Sequence, residues 1–469
     1  ALLAGLPQKE VIGLRLREEV EFGLNVEPVP EGAAIPLGHL VQSGEVKEHM
    51  PVYLDRRALD KHTFIAGVTG SGKTTTCQNI LLDCGLPFLV IEPAKTEYRS
   101  MFGKCQDLLF FTPGLPDVAP FFLNPFELFP GEKITARADM LKATFEASFV
   151  MEAAIPQIME AAIYRAYEDK GWDVETNLWY GKEERNTAHD PFADGVCAFP
   201  TLSDFVVAIK EVTEKQGFDE RLKNDYIGSL NARIESLLVG AKGQMLNTPR
   251  SIDFASLVHR KVVIELEEIR SGAEKSLLMG FILTNLLQAV RHAHETQGDF
   301  QHITLVEEAH RLLSRYMPGD SMNKKQGVEV FSDMLAEVRK YGESLIIVDQ
   351  IPDKMTPEVL KNTNTKIVHK LFAQDDKDAI GSTMALSDEQ KAFLSNLPPG
   401  RAIMFSQGWT KAIQMQVAEK NAANHSGGTT LDIRRAALNY YKEEENRRRG
   451  ILRGLEYLLQ QDEEVQQRY

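Results

Sequence analysis

His62-Thr63-Phe64-Ile65-Ala66-Gly67-Val68-Thr69-Gly70-Ser71-Gly72-Lys73-Thr74-Thr75-Thr76 decides how this chain is read. A short apolar run, Phe64-Ile65-Ala66, leads into glycines at 67, 70 and 72 and then into a helix-compatible segment ending near Leu82. The order is strand, loop, helix. A loop that wraps a phosphate turns several backbone N–H groups inward through conformations that glycine reaches without steric cost, and the helix behind it presents its positive end to the anion. Lys73 then reaches the β- and γ-phosphates, and the Thr74 hydroxyl is placed to ligate Mg²⁺. The stretch is a complete P-loop and reads as ATP or GTP binding, with Gly67, Thr69, Gly70, Ser71, Gly72, Lys73, Thr74 and Thr75 as the binding residues. A chance match in a glycine-rich turn leaves the flanking strand and helix unexplained.

At 469 residues the chain has room for two or three domains, and its 43% apolar and 26% charged residues are ordinary for a globular protein. A net charge of −14 argues against a simple DNA-coating protein, so nucleic acid would be met by a local patch or one concentrated by a ring of subunits. Four cysteines, at 77, 84, 105 and 197, show no paired metal spacing, and a reducing cytoplasm without a zinc site is the economical expectation. No apolar run approaches the roughly 20 residues that span a bilayer, so no membrane attachment is expected. The chain opens on Ala1 and not on Met, which leaves room for an upstream segment.

Outward from the P-loop the pattern divides the chain into five parts. Residues 1–58 carry short strand-like runs at 11–16, 20–26 and 38–41 between turn residues and read as a small β-domain, or as an extension packed on the next domain. Residues 59–126 alternate strand and helix, with a continuous apolar run Leu86-Pro87-Phe88-Leu89-Val90-Ile91 of the kind covered on both faces in a parallel sheet. Residues 127–250 read as a helical insertion, with helices at 135–150, 155–170, 202–216 and 227–239 and a polar loop at 173–197. Strands resume across 251–420, and 421–469 reads as a linker and charged C-terminal helices. The fold class is α/β with a central, largely parallel sheet. Two minor basic features could meet DNA. The 239–245 glycine and lysine stretch reads first as a connecting loop, and the 447–449 arginine triplet reads first as part of a helix paired to the glutamates at 443–445.

The catalytic candidates stand at strand ends. Ile303-Thr304-Leu305-Val306-Glu307-Glu308-Ala309-His310 is a buried strand ending in two carboxylates; downstream of a P-loop it puts Glu307 near Mg²⁺, through water, and Glu308 on the attacking water. Glu92, after the 86–91 run, falls where ligands sit in open α/β sheets, or is a surface carboxylate; both readings stand. A helix at 328–340 carries Arg339 near its end, explained either by the helix dipole or as an arginine finger reaching a neighbouring subunit's ATP. The strand Ser344-Leu345-Ile346-Ile347-Val348 ends at Asp349-Gln350, placing the Gln350 amide where it could sense the γ-phosphate. The 314–326 segment reads as a polar loop.

Taken together, the 67–74 P-loop, Ile91-Glu92-Pro93-Ala94-Lys95-Thr96-Glu97-Tyr98, the helical insertion, Val306-Glu307-Glu308-Ala309-His310, Arg339-Lys340-Tyr341-Gly342 and the Asp349-Gln350 strand end resemble the HerA branch of the HerA/FtsK P-loop ATPases over residues 11–420. The resemblance implies a RecA-like core with a small N-terminal β-barrel, and a homo-hexameric ring that hydrolyses ATP with Mg²⁺ at subunit interfaces and moves double-stranded DNA through its channel. It also implies a nuclease or other effector partner, as in DNA end processing or anti-phage defence complexes. By position it makes Lys73 and Thr74 the nucleotide and Mg²⁺ residues, Glu308 the catalytic carboxylate, Arg339 the trans finger and Gln350 the sensor. Glu307 departs from the Asp common at its place, and Asp349 from a small hydroxyl residue. A translocase, an ATP-binding scaffold that organises an effector, and a secretion ATPase are the activities left open.

Overall fold

The structure, a computed structural model, describes residues 20–105, 107–151, 154–181, 187–406, 408–419 and 427–443 and positions 446, 449, 454, 456, 458 and 459. Its strands are β1 Ala34–Gln42, β2 Glu45–Asp55, β3 Thr63–Ala66, β4 Phe88–Glu92, β5 Leu108–Phe111, β6 Trp172–Asp173, β7 Leu178–Trp179, β8 Lys261–Glu265, β9 His302–Glu307, β10 Glu343–Asp349, β11 Thr365–Val368, β12 Arg401–Ser406 and β13 Ile413–Val417. All but β6 and β7 form one eleven-stranded sheet in the order β2-β1-β13-β12-β11-β3-β10-β9-β4-β8-β5. Every pairing from β11 to β5 is parallel. Every pairing from β11 out to β2 is antiparallel.

The division follows from the side chains. β3, β4, β5, β10 and β11 are buried at every position, as strands covered on both faces must be. β2 is exposed along much of its length, as suits an edge strand with one solvated face. Register then fixes where the strands end: Asp349 of β10 lies opposite Ala66 of β3, and Val348 opposite Glu307 of β9. Glu92 of β4 is level with Glu265 of β8.

The described part of the N-terminal stretch joins the central sheet. The 11–16 run lies outside the described residues, and the 20–26 run makes only an isolated bridge from Gly23 to Ile413. The 38–41 run belongs to β1, and the β1–β2 hairpin extends the central sheet by pairing with β13. β13 is a short strand that the sequence reading passed over, and its free edge supplies the partner. The approach is close: a Cβ on Gly38 would lie 1.9 Å from the Gln416 carbonyl oxygen, so only glycine fits.

In the 127–250 segment the helices Ile134–Ser148, Ile155–Asp169, Leu202–Lys215 and Glu220–Leu238 are present, and the β6–β7 hairpin opens the stretch read as loop. The 239–245 stretch holds a helix, Gly240–Leu246, and not a loop; Lys242 is occupied by the Glu274 carboxylate at 2.8 and 2.9 Å, so it offers no free cation to DNA. Within 314–326, helix Met322–Glu337 begins on the Ser321 cap, whose hydroxyl accepts from the Lys324 N–H. Of the 447–449 triplet only Arg449 is described, and it pairs with Glu127, while Glu443 pairs with Arg260. The tail is therefore fastened to the core through longer-range pairs than the sequence spacing suggested. Among the described residues no helix is long and apolar enough to cross a membrane.

The first insertion helix is tied down by a buried ion pair. Arg137 is fully buried, and its guanidinium donates to both Glu132 oxygens at 2.9 and 2.7 Å and to Asn285 Oδ1 at 3.2 Å. Removing one member leaves a buried charge without a partner. Arg137→Ala is expected to cost about 3–5 kcal/mol, whereas Arg137→Met combined with Glu132→Met restores most of that loss. Thermal denaturation of the three chains checks this.

Candidate nucleotide site

The P-loop leaves β3 at Ala66 and turns back into helix Lys73–Asp83. Gly67 has a φ of +154°, and a Cβ there would lie 2.6 Å from Ser71 Oγ and 2.7 Å from His369 Cβ, so the first glycine is required twice over. The Ser71 hydroxyl closes the turn on the Val68 carbonyl at 2.7 Å. The Lys73 ammonium lies against the loop, donating to the carbonyls of Gly67 at 2.6 Å and Val68 at 3.1 Å. Burial holds its pKa below the ordinary lysine value, with Glu307 pulling the other way. Under the loop sits His369, fully buried, with Nε2 2.9 Å from Thr76 Oγ1 and Nδ1 3.1 Å from the Arg401 carbonyl oxygen. Burial, reinforced by the nearby Lys73 charge, lowers its pKa to about 4, so the ring supports the loop as a neutral group.

The neighbouring strands deliver acids to the same edge. Glu307 closes β9 and accepts the Tyr98 hydroxyl at 2.9 Å. Desolvation lifts its carboxyl to about 7 despite that bond. Glu308 follows in the left-handed region at φ +49°, its carboxylate paired with Arg311 at 2.7 Å. Asp349 at the end of β10 is buried and accepts the His310 N–H at 2.9 Å, His310 Nδ1–H at 2.8 Å and the Ile351 N–H at 2.9 Å. That work needs two carboxylate oxygens, which accounts for an acid where a hydroxyl was expected. Next to it, Gln350 Oε1 accepts the Thr69 hydroxyl at 2.8 Å, joining strand end to P-loop.

Glu92 is fully buried, which excludes the surface reading, and its Oε1 accepts the Glu97 N–H at 2.6 Å. Desolvation first, and the Glu307 charge second, push its carboxyl well above the usual range. The Glu97 side chain in turn accepts the Thr74 hydroxyl.

These groups surround a cleft of about 430 Å³ lined by Thr69, Gly70, Gly72, Lys73, Thr74, Thr75, Glu97, Glu307, Glu308, Asp349 and Gln350. The sequence-derived residues thus meet in one place, apart from Gly67 and Ser71, which shape the loop behind it, and Arg339. Arg339 is exposed in the turn Val338–Tyr341, ahead of β10. β10 spans seven residues, so Arg339 is on the order of 20 Å from the cleft of its own chain. It lines a different cleft, of about 400 Å³, with Lys61, Lys361 and Lys366. Glu97, Tyr98 and His369 had no role in the sequence reading; the first two lie just past the end of β4, where ligand contacts collect. The Thr74 hydroxyl and the Glu307 carboxylate are hard oxygen donors facing one cleft with Lys73, a set that fits Mg²⁺ shared with phosphate oxygens.

A glycine loop at a helix start, a lysine, and carboxylates at the carboxyl ends of adjacent parallel strands define a P-loop ATPase. The family described as "Helicase HerA, central domain" matches residues 35–286, more than half of the chain, and the chain belongs to that family. It is 23% identical over 438 residues to the probable DNA double-strand break repair helicase HerA of Methanocaldococcus jannaschii, covering 85% of this chain and 78% of that one. With HerA of Sulfolobus acidocaldarius it shares 23% over 381 residues, 79% of this chain and 66% of the other. Its fold matches VirB4 of Thermoanaerobacter pseudethanolicus at a TM-score of 0.62 and 18% identity, covering 85% of this chain and all of that one. Plasmid coupling protein TrwB, solved with ADP and Mg²⁺, matches at 0.53 and 12%, covering 83% and 91%. The mostly parallel sheet is thus the RecA-like P-loop ATPase fold.

Glu307 gives a pH signature. Its folded pKa of about 7 stands above its ordinary 4.5, so the folded chain keeps a proton that the unfolded chain has released between those values. The associated stability is complete below about 4.5 and is lost as pH rises to about 7. Glu307→Gln is expected to melt with the parent protein at pH 5 and a few °C above it at pH 8. Melting curves across that range check it; removing the Glu307 charge also relaxes the upward push on Glu92, which acts in the same direction at pH 8.

Proposed function

We propose that this chain is an ATP-driven motor that assembles as a homo-hexamer, threads double-stranded DNA and serves a nuclease or other effector protein in DNA end processing or anti-phage defence. The observation that carries the reading is the separation of Arg339 from the acidic cleft of its own chain. A finger on the opposite end of the sheet serves a nucleotide only in a neighbouring copy, and its cleft, which has no carboxylate among its described lining residues, suits a polyphosphate. The names of the relatives, DNA double-strand break repair helicases, support duplex DNA as the track. With a chain charge of −14, the DNA contact falls to channel residues concentrated by the ring.

The roles follow from position. Lys73 turns from the loop carbonyls to the phosphates, Thr74 and Glu307 hold Mg²⁺, Glu308 orients the attacking water, and Gln350 reports occupancy to Thr69. ATP with Mg²⁺ supplies the labile phosphoanhydride bond. Residues 59–126 and 251–420 form the motor core, 127–250 the insertion, 1–58 an N-terminal unit and 421–469 the tail, in a protein working in the cytoplasm.

Mass measurement is expected to give six copies, and ATP hydrolysis is expected to rise with duplex DNA. Lys73→Ala loses nucleotide binding; Glu308→Gln binds ATP but turns over at least a hundredfold more slowly. Arg339→Ala falls about 10³-fold or more, and mixing it with Lys73→Ala subunits restores part of the activity. A chain that stays single and consumes no ATP overturns the proposal, and a Glu308→Gln chain that keeps full biological activity replaces the motor with a scaffold.

A further inference from the structure

Glu97 occupies a position that the roles above do not explain. Its backbone is held from three sides: the N–H by Glu92 Oε1 at 2.6 Å, and the carbonyl by Gln78 Nε2 at 3.0 Å and Ser100 Oγ at 2.8 Å. Gln78 lies on the P-loop helix, so the post-β4 loop is fastened directly to the element that carries Lys73 and Thr74. The carboxylate is divided between two partners, Oε2 accepting the Thr74 hydroxyl and Oε1 accepting the Lys95 ammonium at 2.6 Å. The next residue, Tyr98, donates its hydroxyl to Glu307, and Arg99 grips Glu265 with two bonds at 2.8 and 2.6 Å. Three consecutive side chains thus fasten Thr74, Glu307 and the end of β8.

We propose that Glu97 is a positioning residue for the divalent cation, acting through Thr74, with Tyr98 doing the same for Glu307. The reasoning is directional. A threonine hydroxyl has one proton and two lone pairs, and it serves a cation only when the proton points elsewhere. Glu97 takes that proton, which turns the lone pairs of Thr74 Oγ1 toward the cleft. Mg²⁺ retains several waters when bound by few protein oxygens, and a carboxylate lining the cleft accepts hydrogen bonds from that water shell. Lys95 on the second oxygen keeps the carboxylate anchored and offsets its charge beside the phosphates.

The inference rests on the ATPase reading, and the test separates the two. Equilibrium binding of a fluorescent ATP analogue is measured in EDTA and across a Mg²⁺ titration for the full chain, Glu97→Gln, Glu97→Asp, Tyr98→Phe and Thr74→Ala. Glu97→Gln keeps the backbone bonds, so its affinity in EDTA stays within about twofold of the parent's, while the Mg²⁺ concentration for half-maximal binding rises about tenfold. Glu97→Asp recovers part of the shift, Tyr98→Phe shows a smaller one in the same direction, and Thr74→Ala, which removes the cation-facing hydroxyl itself, raises the Mg²⁺ requirement at least as far as Glu97→Gln. Equal losses in EDTA and Mg²⁺ mean that Glu97 only fastens the loop, and no change in either means that it does nothing for the cation; both overturn the proposal and leave the ATPase reading intact. A parent chain that binds no nucleotide with Mg²⁺ overturns both.

Discussion

Because β3, β10, β9 and β4 run parallel and side by side, the residues that follow each strand leave the sheet at one edge. The pairings hold those exits level, so the P-loop, Gln350, Glu308 and the 93–99 loop emerge next to each other although they are up to about 280 positions apart in the chain. A one-residue slip of β10 against β3 would turn Asp349 from His310 to the other face of the sheet and carry Gln350 away from Thr69. Such a slip would also strip the buried Asp349 carboxylate of its three donors, which opposes it. The cleft is therefore a consequence of register more than of any one loop.

Packing acids into this edge has an electrostatic cost that the rest of the site manages. Glu92, Glu97, Glu265 and Glu307 converge within one neighbourhood, against Lys73, Lys95 and Arg99. Arg99 neutralises Glu265, and Lys95 neutralises Glu97, through direct pairs. Among the described residues Glu92 and Glu307 have no such partner, and for both desolvation is the dominant influence and favours the protonated form. A divalent cation brought in by a nucleotide would reverse that balance at Glu307, and the binding of Mg²⁺ would be linked to the loss of a proton there. Glu92, whose burial favours the protonated form, grips the Glu97 N–H.

What could be read in the sequence was whatever local pattern encodes. The P-loop, the apolar strand runs and the Glu307-Glu308 pair each carry their chemistry in adjacent residues, and they stand in the cleft where strand order puts them. Long-range contacts could not be read that way. Lys242 sits in a glycine-flanked stretch that looks like a loop until Glu274, 32 positions on, is seen to take its charge. Tyr98 closes the 91–98 segment with no role legible in sequence and is the hydrogen-bond donor to Glu307 in three dimensions, at a separation of 209 residues. β13, Ile413-Gln414-Met415-Gln416-Val417, carries a legible apolar and polar alternation; what local pattern does not carry is its pairing with β1, which draws β1 and β2 onto the sheet.

Sheet polarity also gives the molecule two unlike ends. The carboxyl edge gathers acids around the P-loop, whereas beside the amino ends of β3, β10 and β11 Lys61, Arg339, Lys361 and Lys366 line a second cleft. Lys366 is buried, and burial pushes its ammonium down to about 8, while it donates to the Thr363 carbonyl. An approaching anion would relieve that cost. The length of β10 keeps Arg339 at the far end of the sheet from the acidic cleft of the same chain. Complementarity between opposite ends of identical molecules is satisfied by head-to-tail contact, the geometry that closes into rings when the rotation per subunit divides a full turn. That is why the proposed hexamer and the proposed placement of Arg339 stand or fall together: each supplies the charge partner that the other leaves unmet.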